Sequence, residues 1–101
     1  MKLKIAVVQP ETLTGGESPR NVERAVAYIR EAAREGARLI ALPETYPGPY
    51  TVPLAYSSEE ALSAVARDEK VYVVGGALEY VNANEGGRGA YNNCQIGRAH
   101  V

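Results

Sequence analysis

Three short runs of apolar residues constrain the fold of this chain more than any other feature. They lie at 3–9, 37–42 and 71–74. In each run, most of the residues that would point to either face of a strand are aliphatic. A strand that is apolar on both faces is covered on both faces, as in the parallel sheets of layered α/β proteins. The sequence therefore predicts an α/β fold built around a sheet of such strands.

Two segments with helical periodicity separate these strands. Apolar residues recur every three or four positions in 19–35 and 58–68, and charged residues occupy the other face. Ser18 is the expected N-cap of the first helix and Ser57 opens a capping box for the second. Gly36 is expected to end the first helix. Because helical crossovers join parallel strands, the first three strands are predicted to be parallel.

The last part of the chain favours hairpins. Gly75 and Gly76 are interpreted as the end of the third strand, with further strands at 77–81 and 90–94. The predicted element order is therefore β-α-β-α-β-β-β. A chain of 101 residues supports one hydrophobic core and is too short for two domains.

Charge and composition exclude several classes of function. The net charge is −1, with 11 basic and 12 acidic residues, and no basic stripe is available for nucleic acid. No stretch is apolar enough to span a membrane. Cys94 and His100 are the single cysteine and histidine, which argues against a disulfide framework and a metal site. The expected location is the cytoplasm.

Glu44 is the candidate catalytic residue. It follows the second apolar run and Pro43, at the carboxyl end of a strand where open α/β sheets bind ligands. If its carboxylate is partly desolvated there, it is suited to act as a general base. Position alone favours an exposed loop glutamate, which is the commoner case.

Several elements, taken in order, carry a resemblance to a known family: KIAVVQP at 4–10, Asn21 and the helix end AAREGA at 32–37, LIALPE at 39–44, VYVVGG at 71–76 and YN at 91–92. With this spacing the chain resembles the nitrilase superfamily of carbon–nitrogen hydrolases. That resemblance implies the N-terminal part of a four-layer α-β-β-α sandwich. The two helices cover one face of the sheet, and a second sheet encoded elsewhere would cover the other.

The resemblance also implies a chemistry. Such enzymes hydrolyse non-peptide amide or nitrile bonds of small molecules through a Glu-Lys-Cys triad, in which Glu44 would be the general base. The lysine stabilises the oxyanion and the cysteine attacks the substrate carbon. An amide is favoured over a nitrile, no cofactor or metal is implied, and full-length members commonly form homo-oligomers.

The chain departs from the family pattern after Tyr91. No lysine follows Lys70, and Cys94 comes too early to be the nucleophile, so it is interpreted as a small buried strand residue. Residues 1–95 are therefore interpreted as a truncated carbon–nitrogen hydrolase domain with one triad member, which alone should be inactive.

Residues 96–101 have a different interpretation. They translate the codons ATC GGA AGA GCA CAC GTC, the start of a common short-read sequencing adapter, and are expected to be an adapter-derived tail. The alternative is a genuine strand end. His100 is interpreted neither as a catalytic base nor as a ligand.

The loop after Glu44 contains three tyrosines. Tyr50 is a weak candidate for lining a substrate pocket. For Tyr46 and Tyr56, packing of the loop onto its scaffold is the favoured interpretation.

Two alternatives to an enzyme fragment stay open at this point. A small flavodoxin-like binding or signalling module shares the β-α-β-α-β order, and fold alone does not decide function. A structural subunit with a decayed family fold is the other.

Overall fold

A computed structural model of the chain describes residues 2–49, 56–81 and 89–97. The strands are β1 (Ile5–Val7), β2 (Leu39–Ala41), β3 (Tyr72–Val81) and β4 (Gly89–Gly97). The helices are α1 (Arg20–Arg34) and α2 (Glu59–Glu69), and a short 3-10 turn at Gly15–Glu17 precedes α1. This arrangement confirms the predicted α/β class.

The strands form one sheet in the order β1-β2-β3-β4. β1 and β2 are parallel, as are β2 and β3, whereas β3 and β4 are antiparallel. The parallel crossovers and the final hairpin were both predicted. In flavodoxin-like sheets the first strand lies between the second and third, but here β2 lies between β1 and β3, so the sheet does not have the flavodoxin-like order.

The predicted separation of strands at 71–74 and 77–81 is wrong. β3 continues without a break through Gly75 and Gly76, and the element order is therefore β-α-β-α-β-β. Adjacent glycines usually mark a turn, but a glycine within a strand can instead mark a close approach of other groups. A Cβ on Gly75 would lie 3.5 Å from Leu42 Cδ1 and 3.6 Å from Leu62 Cδ1. β4 begins at Gly89, close to the start predicted at residue 90, and extends to Gly97.

The helix caps differ from the prediction in two places. Pro19, rather than Ser18, occupies the N-cap of α1, and Ser58, rather than Ser57, precedes α2; neither helix has a side-chain cap hydrogen bond. The predicted capping box is therefore wrong. Gly36 ends α1 as expected, with a φ of 96° that suits glycine.

The core lies between the two helices and one face of the sheet. Ile40 and Val73, side by side on β2 and β3, are fully buried against this layer. Arg30 Nη1 on α1 lies 3.2 Å from Glu69 Oε2 at the end of α2. This ion pair links the two helices at the surface. The core is completed by buried residues of both helices and the loops that flank the strands: Ala25, Ile29, Ala37, Leu42, Tyr46, Leu62, Val65, Ala66 and Val71.

The opposite face of the sheet is apolar and exposed. Ile5 is 55% exposed, Val7 71% and Tyr72 47%. The strand register places these side chains on the same face as Leu39 and Ala41. The expectation that this chain's helices cover one face only is confirmed for the described residues.

Candidate functional site

The loop that carries Glu44 leaves the sheet at the carboxyl ends of the parallel strands. The Val8 N–H donates to the Ala41 carbonyl at 2.9 Å, and the Leu42 N–H donates to the Val74 carbonyl at 2.8 Å. These bonds continue the ladder up to the point where the chain turns away. Glu44 follows two residues later, at the sheet edge where the sequence placed it.

A tight turn presents Glu44. The Tyr46 N–H donates to the Pro43 carbonyl at 3.2 Å, with Glu44 and Thr45 between them. Thr45 has a φ of 62°, a left-handed conformation that is rare for a β-branched residue. Such a conformation costs about 1–3 kcal/mol and persists only where the surrounding contacts hold it.

Glu44 itself is exposed in this chain. Of the two alternatives that its position allows, the described structure therefore has the exposed loop glutamate and not the partly desolvated carboxylate. The turn gives Glu44 a defined backbone position.

Tyr46 anchors the turn to α1. Its side chain is 1% exposed and belongs to the core cluster that contains Ala25 and Ile29. Its hydroxyl donates to the main-chain carbonyl of Asn21 at 3.3 Å. Burial raises the pKa of Tyr46 above its ordinary value, so the hydroxyl keeps its proton and remains a donor.

Asn21 connects a second loop, the one that follows β1, to the start of α1. Its buried side chain forms two hydrogen bonds with the backbone of Leu13: Asn21 Nδ2 donates to the Leu13 carbonyl and the Leu13 N–H donates to Asn21 Oδ1, both at 2.9 Å. The loop that follows β1 is thus held against the first turn of α1.

Tyr56 adds a third connection. Its hydroxyl donates to the Pro47 carbonyl at 2.7 Å, which secures the chain just beyond the Glu44 turn. Burial raises the pKa of Tyr56, while side-chain hydrogen bonds to Ser18 and Asn21 partly offset that rise. The packing interpretation of Tyr46 and Tyr56 is confirmed.

Gly75 of β3 lies beside the loop that carries Glu44. A Cβ at this position would lie 3.7 Å from the Tyr46 carbonyl oxygen and 3.5 Å from Leu42 Cδ1. The Tyr46 carbonyl of the Glu44 loop and the Leu42 side chain are therefore both near neighbours of Gly75 in β3.

Sequence reasoning named Glu44 but did not identify the role of Asn21. A signal was present, because Asn21, Ala25 and Ile29 follow one another at helical spacing on the apolar stripe of α1. A polar residue on such a stripe is buried, and a buried amide needs hydrogen-bond partners. The Asn21 amide on this stripe therefore indicated a buried side chain that hydrogen-bonds to another segment.

The other sequence candidates lie elsewhere. Tyr50 and His100 fall outside the described residues. Cys94 lies in β4 beside Gly76 of β3. Among the described residues, no group of three or more His, Cys, Asp and Glu side chains is placed to hold a metal ion. No helix in the described part of the chain is long and apolar enough to cross a membrane.

Comparison with known proteins places the chain in a family. The Carbon-nitrogen hydrolase family profile matches residues 4–97. Omega-amidase NIT2 of Homo sapiens is 33% identical over 84 residues, which cover 75% of this chain and 29% of that protein. Nitrilase homolog 2 of Dictyostelium discoideum is 34% identical over 94 residues, covering 85% of this chain and 28% of that protein. The chain thus spans less than a third of these relatives.

Solved structures agree in fold. The structure of an amidase from Nesterenkonia sp. superposes with a TM-score of 0.64 and 20% sequence identity, and the match covers 91% of this chain and 37% of the amidase. At this identity the likeness shows the fold alone. The family profile, which matches nearly the whole chain, shows that this chain belongs to the carbon–nitrogen hydrolase family.

Proposed function

We propose that this chain is part of a hydrolase that cleaves the carbon–nitrogen bond of a small, non-peptide amide, with Glu44 as the general base. The observation that carries the proposal is the position of Glu44. It lies on a tight turn at the carboxyl end of a parallel strand, inside the segment that the family profile matches. Omega-amidase NIT2 and the Nesterenkonia sp. protein are amidases by name, which supports an amide over a nitrile.

Glu44 acts on a cysteine thiol that the rest of the protein supplies. The carboxylate accepts the thiol proton, and the sulfur forms a bond to the amide carbon while a lysine stabilises the oxyanion. Collapse of this intermediate breaks the carbon–nitrogen bond, and the Glu44 carboxyl returns the proton to the departing amine. Water then hydrolyses the thioester and restores the thiol.

A solved relative supports a cysteine nucleophile. In the amidase from Nesterenkonia sp. AN1, the acetamide moiety of fluoroacetamide adds covalently at the active site cysteine. We assign the equivalent cysteine, and the lysine, to the part of the protein that this chain does not contain. Cys94 is not the nucleophile in this proposal.

The exposed sheet face supports the proposed architecture. Ile5, Val7 and Tyr72 project from the side of the sheet that the helices leave open. Burying each of the two aliphatic side chains would contribute about 1.5–3 kcal/mol. A second sheet packed on this face would complete the four-layer α-β-β-α sandwich.

The proposed activity is tested on the complete protein. We expect it to release ammonia from small aliphatic amides faster than from nitriles of the same carbon skeleton, because the amide is the proposed substrate class. Alkylation of its thiols with iodoacetamide should abolish this release, since the nucleophile is a thiolate.

Two outcomes would contradict the proposal. One is a folded protein that hydrolyses neither substrate class over a broad series of chain lengths. The other is amide hydrolysis that survives complete alkylation, which would rule out a cysteine nucleophile.

A further inference from the structure

The position of the Glu44 carboxylate depends on the turn that carries it. Tyr46 closes this turn through its N–H bond to the Pro43 carbonyl, and it lies two residues from Glu44. Because Thr45 between them has a left-handed backbone, the turn has little freedom to compensate for a shift at either end. A displacement of Tyr46 therefore moves Glu44.

Two features hold Tyr46 in position. Its buried ring determines the distance between the turn and the hydrophobic core. Its hydroxyl donates to the Asn21 carbonyl at 3.3 Å, which sets the direction of the ring relative to α1. The acceptor is itself immobile, because Asn21 lies in the first turn of the helix and its side chain forms two hydrogen bonds with Leu13.

We propose that Tyr46 is a positioning residue for Glu44, whose hydroxyl, anchored on the Asn21 carbonyl, holds the turn where the carboxylate can reach its proton donor. This inference rests on the proposed role of Glu44 as the general base. A general base must come within about 2.6–3.2 Å of the proton donor. A misplacement of about 1 Å can lower the rate by about 10²-fold, so a hydroxyl that controls the turn controls the rate.

The test is Tyr46→Phe in the complete protein. This change removes one oxygen and keeps the buried ring. We expect kcat for amide hydrolysis to fall about 10-fold, within the range that misplacement of a catalytic group produces. KM should stay within about twofold, because Tyr46 is buried and does not contact substrate in this proposal. The assay is run well below the unfolding temperature of each variant, with circular dichroism to confirm folding.

Tyr28→Phe is the matched control. Tyr28 also lies on α1, and its hydroxyl accepts a hydrogen bond from Arg24 at 3.4 Å within that helix. The substitution removes the same atom from a tyrosine that is not bonded to the Glu44 turn. Its kcat should stay within about twofold of the unmodified protein. An equal loss in both variants would overturn the positioning role.

A double variant separates positioning from general structural support. If Tyr46 acts through Glu44, Tyr46→Phe should change the residual kcat by less than about twofold once Glu44→Gln is present. A further 10-fold loss in that background would show that Tyr46 acts independently, which would overturn the inference.

The single variants also separate this inference from the proposed function. If Glu44→Gln retains turnover, the proposed general base is wrong, and the positioning role falls with it. If Glu44→Gln abolishes turnover while Tyr46→Phe keeps its kcat within about twofold, Glu44 stands and the positioning role alone is wrong.

Discussion

Glu44→Gln in the complete protein is expected to lower kcat for amide hydrolysis by about 10²- to 10⁴-fold, the usual contribution of a general base. Glutamine keeps the size of the side chain and removes only the proton acceptor. Since Glu44 is not part of the hydrophobic core and the change keeps its size, the substitution should leave the fold intact. Steady-state kinetics and thermal unfolding on the same samples measure both effects.

Glu31→Gln provides the control for this prediction. Glu31 is an exposed glutamate in the last turn of α1, at the amino ends of the parallel strands. Its replacement removes the same charge and should leave kcat within about twofold. Turnover of a folded Glu44→Gln variant within a few-fold of the unmodified protein would refute the assignment of Glu44.

The second large effect concerns the uncovered sheet face. Residues 1–95, expressed alone, are expected to associate and to bind dyes that report exposed apolar surface. Ile5, Val7, Leu39 and Tyr72 form a contiguous apolar face, and apolar patches beyond a few hundred Å² promote association. β1 also lies at the edge of the sheet, where unpaired backbone groups add to the effect. Sedimentation velocity and dye fluorescence measure the result.

Val7→Lys should weaken this association, because it places a charge on the apolar face. Ala27→Lys adds the same charge at an exposed position of α1, outside the apolar face, and should leave the association unchanged. A soluble monomer of residues 1–95 that unfolds cooperatively and binds no dye would show that the face needs no cover. The proposed four-layer sandwich would then lose its physical support.

Much of the architecture could be predicted from the pattern of apolar residues. The runs at 3–9, 37–42 and 71–74 each contain a strand or adjoin one, and the helical spacing between them required parallel pairing. The same pattern placed Glu44 beyond the end of β2. These features follow from local periodicity and the geometry of a crossover, both of which a sequence displays directly.

Two features could not be predicted because they depend on distant contacts. Gly75 continues a strand instead of ending one, since it and Gly76 pair with Gln95 and Cys94 of β4. Whether segments outside its own loop cover Glu44 likewise depends on contacts that the local sequence around it does not specify. Local propensity contains no information about such neighbours.

The central claim is that Glu44 works with a lysine and a cysteine that this chain does not contain. The most direct measurement is the sequence of the source DNA beyond the codon for Cys94. We expect an open reading frame that continues the family match and contributes first a lysine and then a cysteine at the spacing of the carbon–nitrogen hydrolase family. A complete reading frame that continues the match without these two residues would contradict the account and favour a structural subunit.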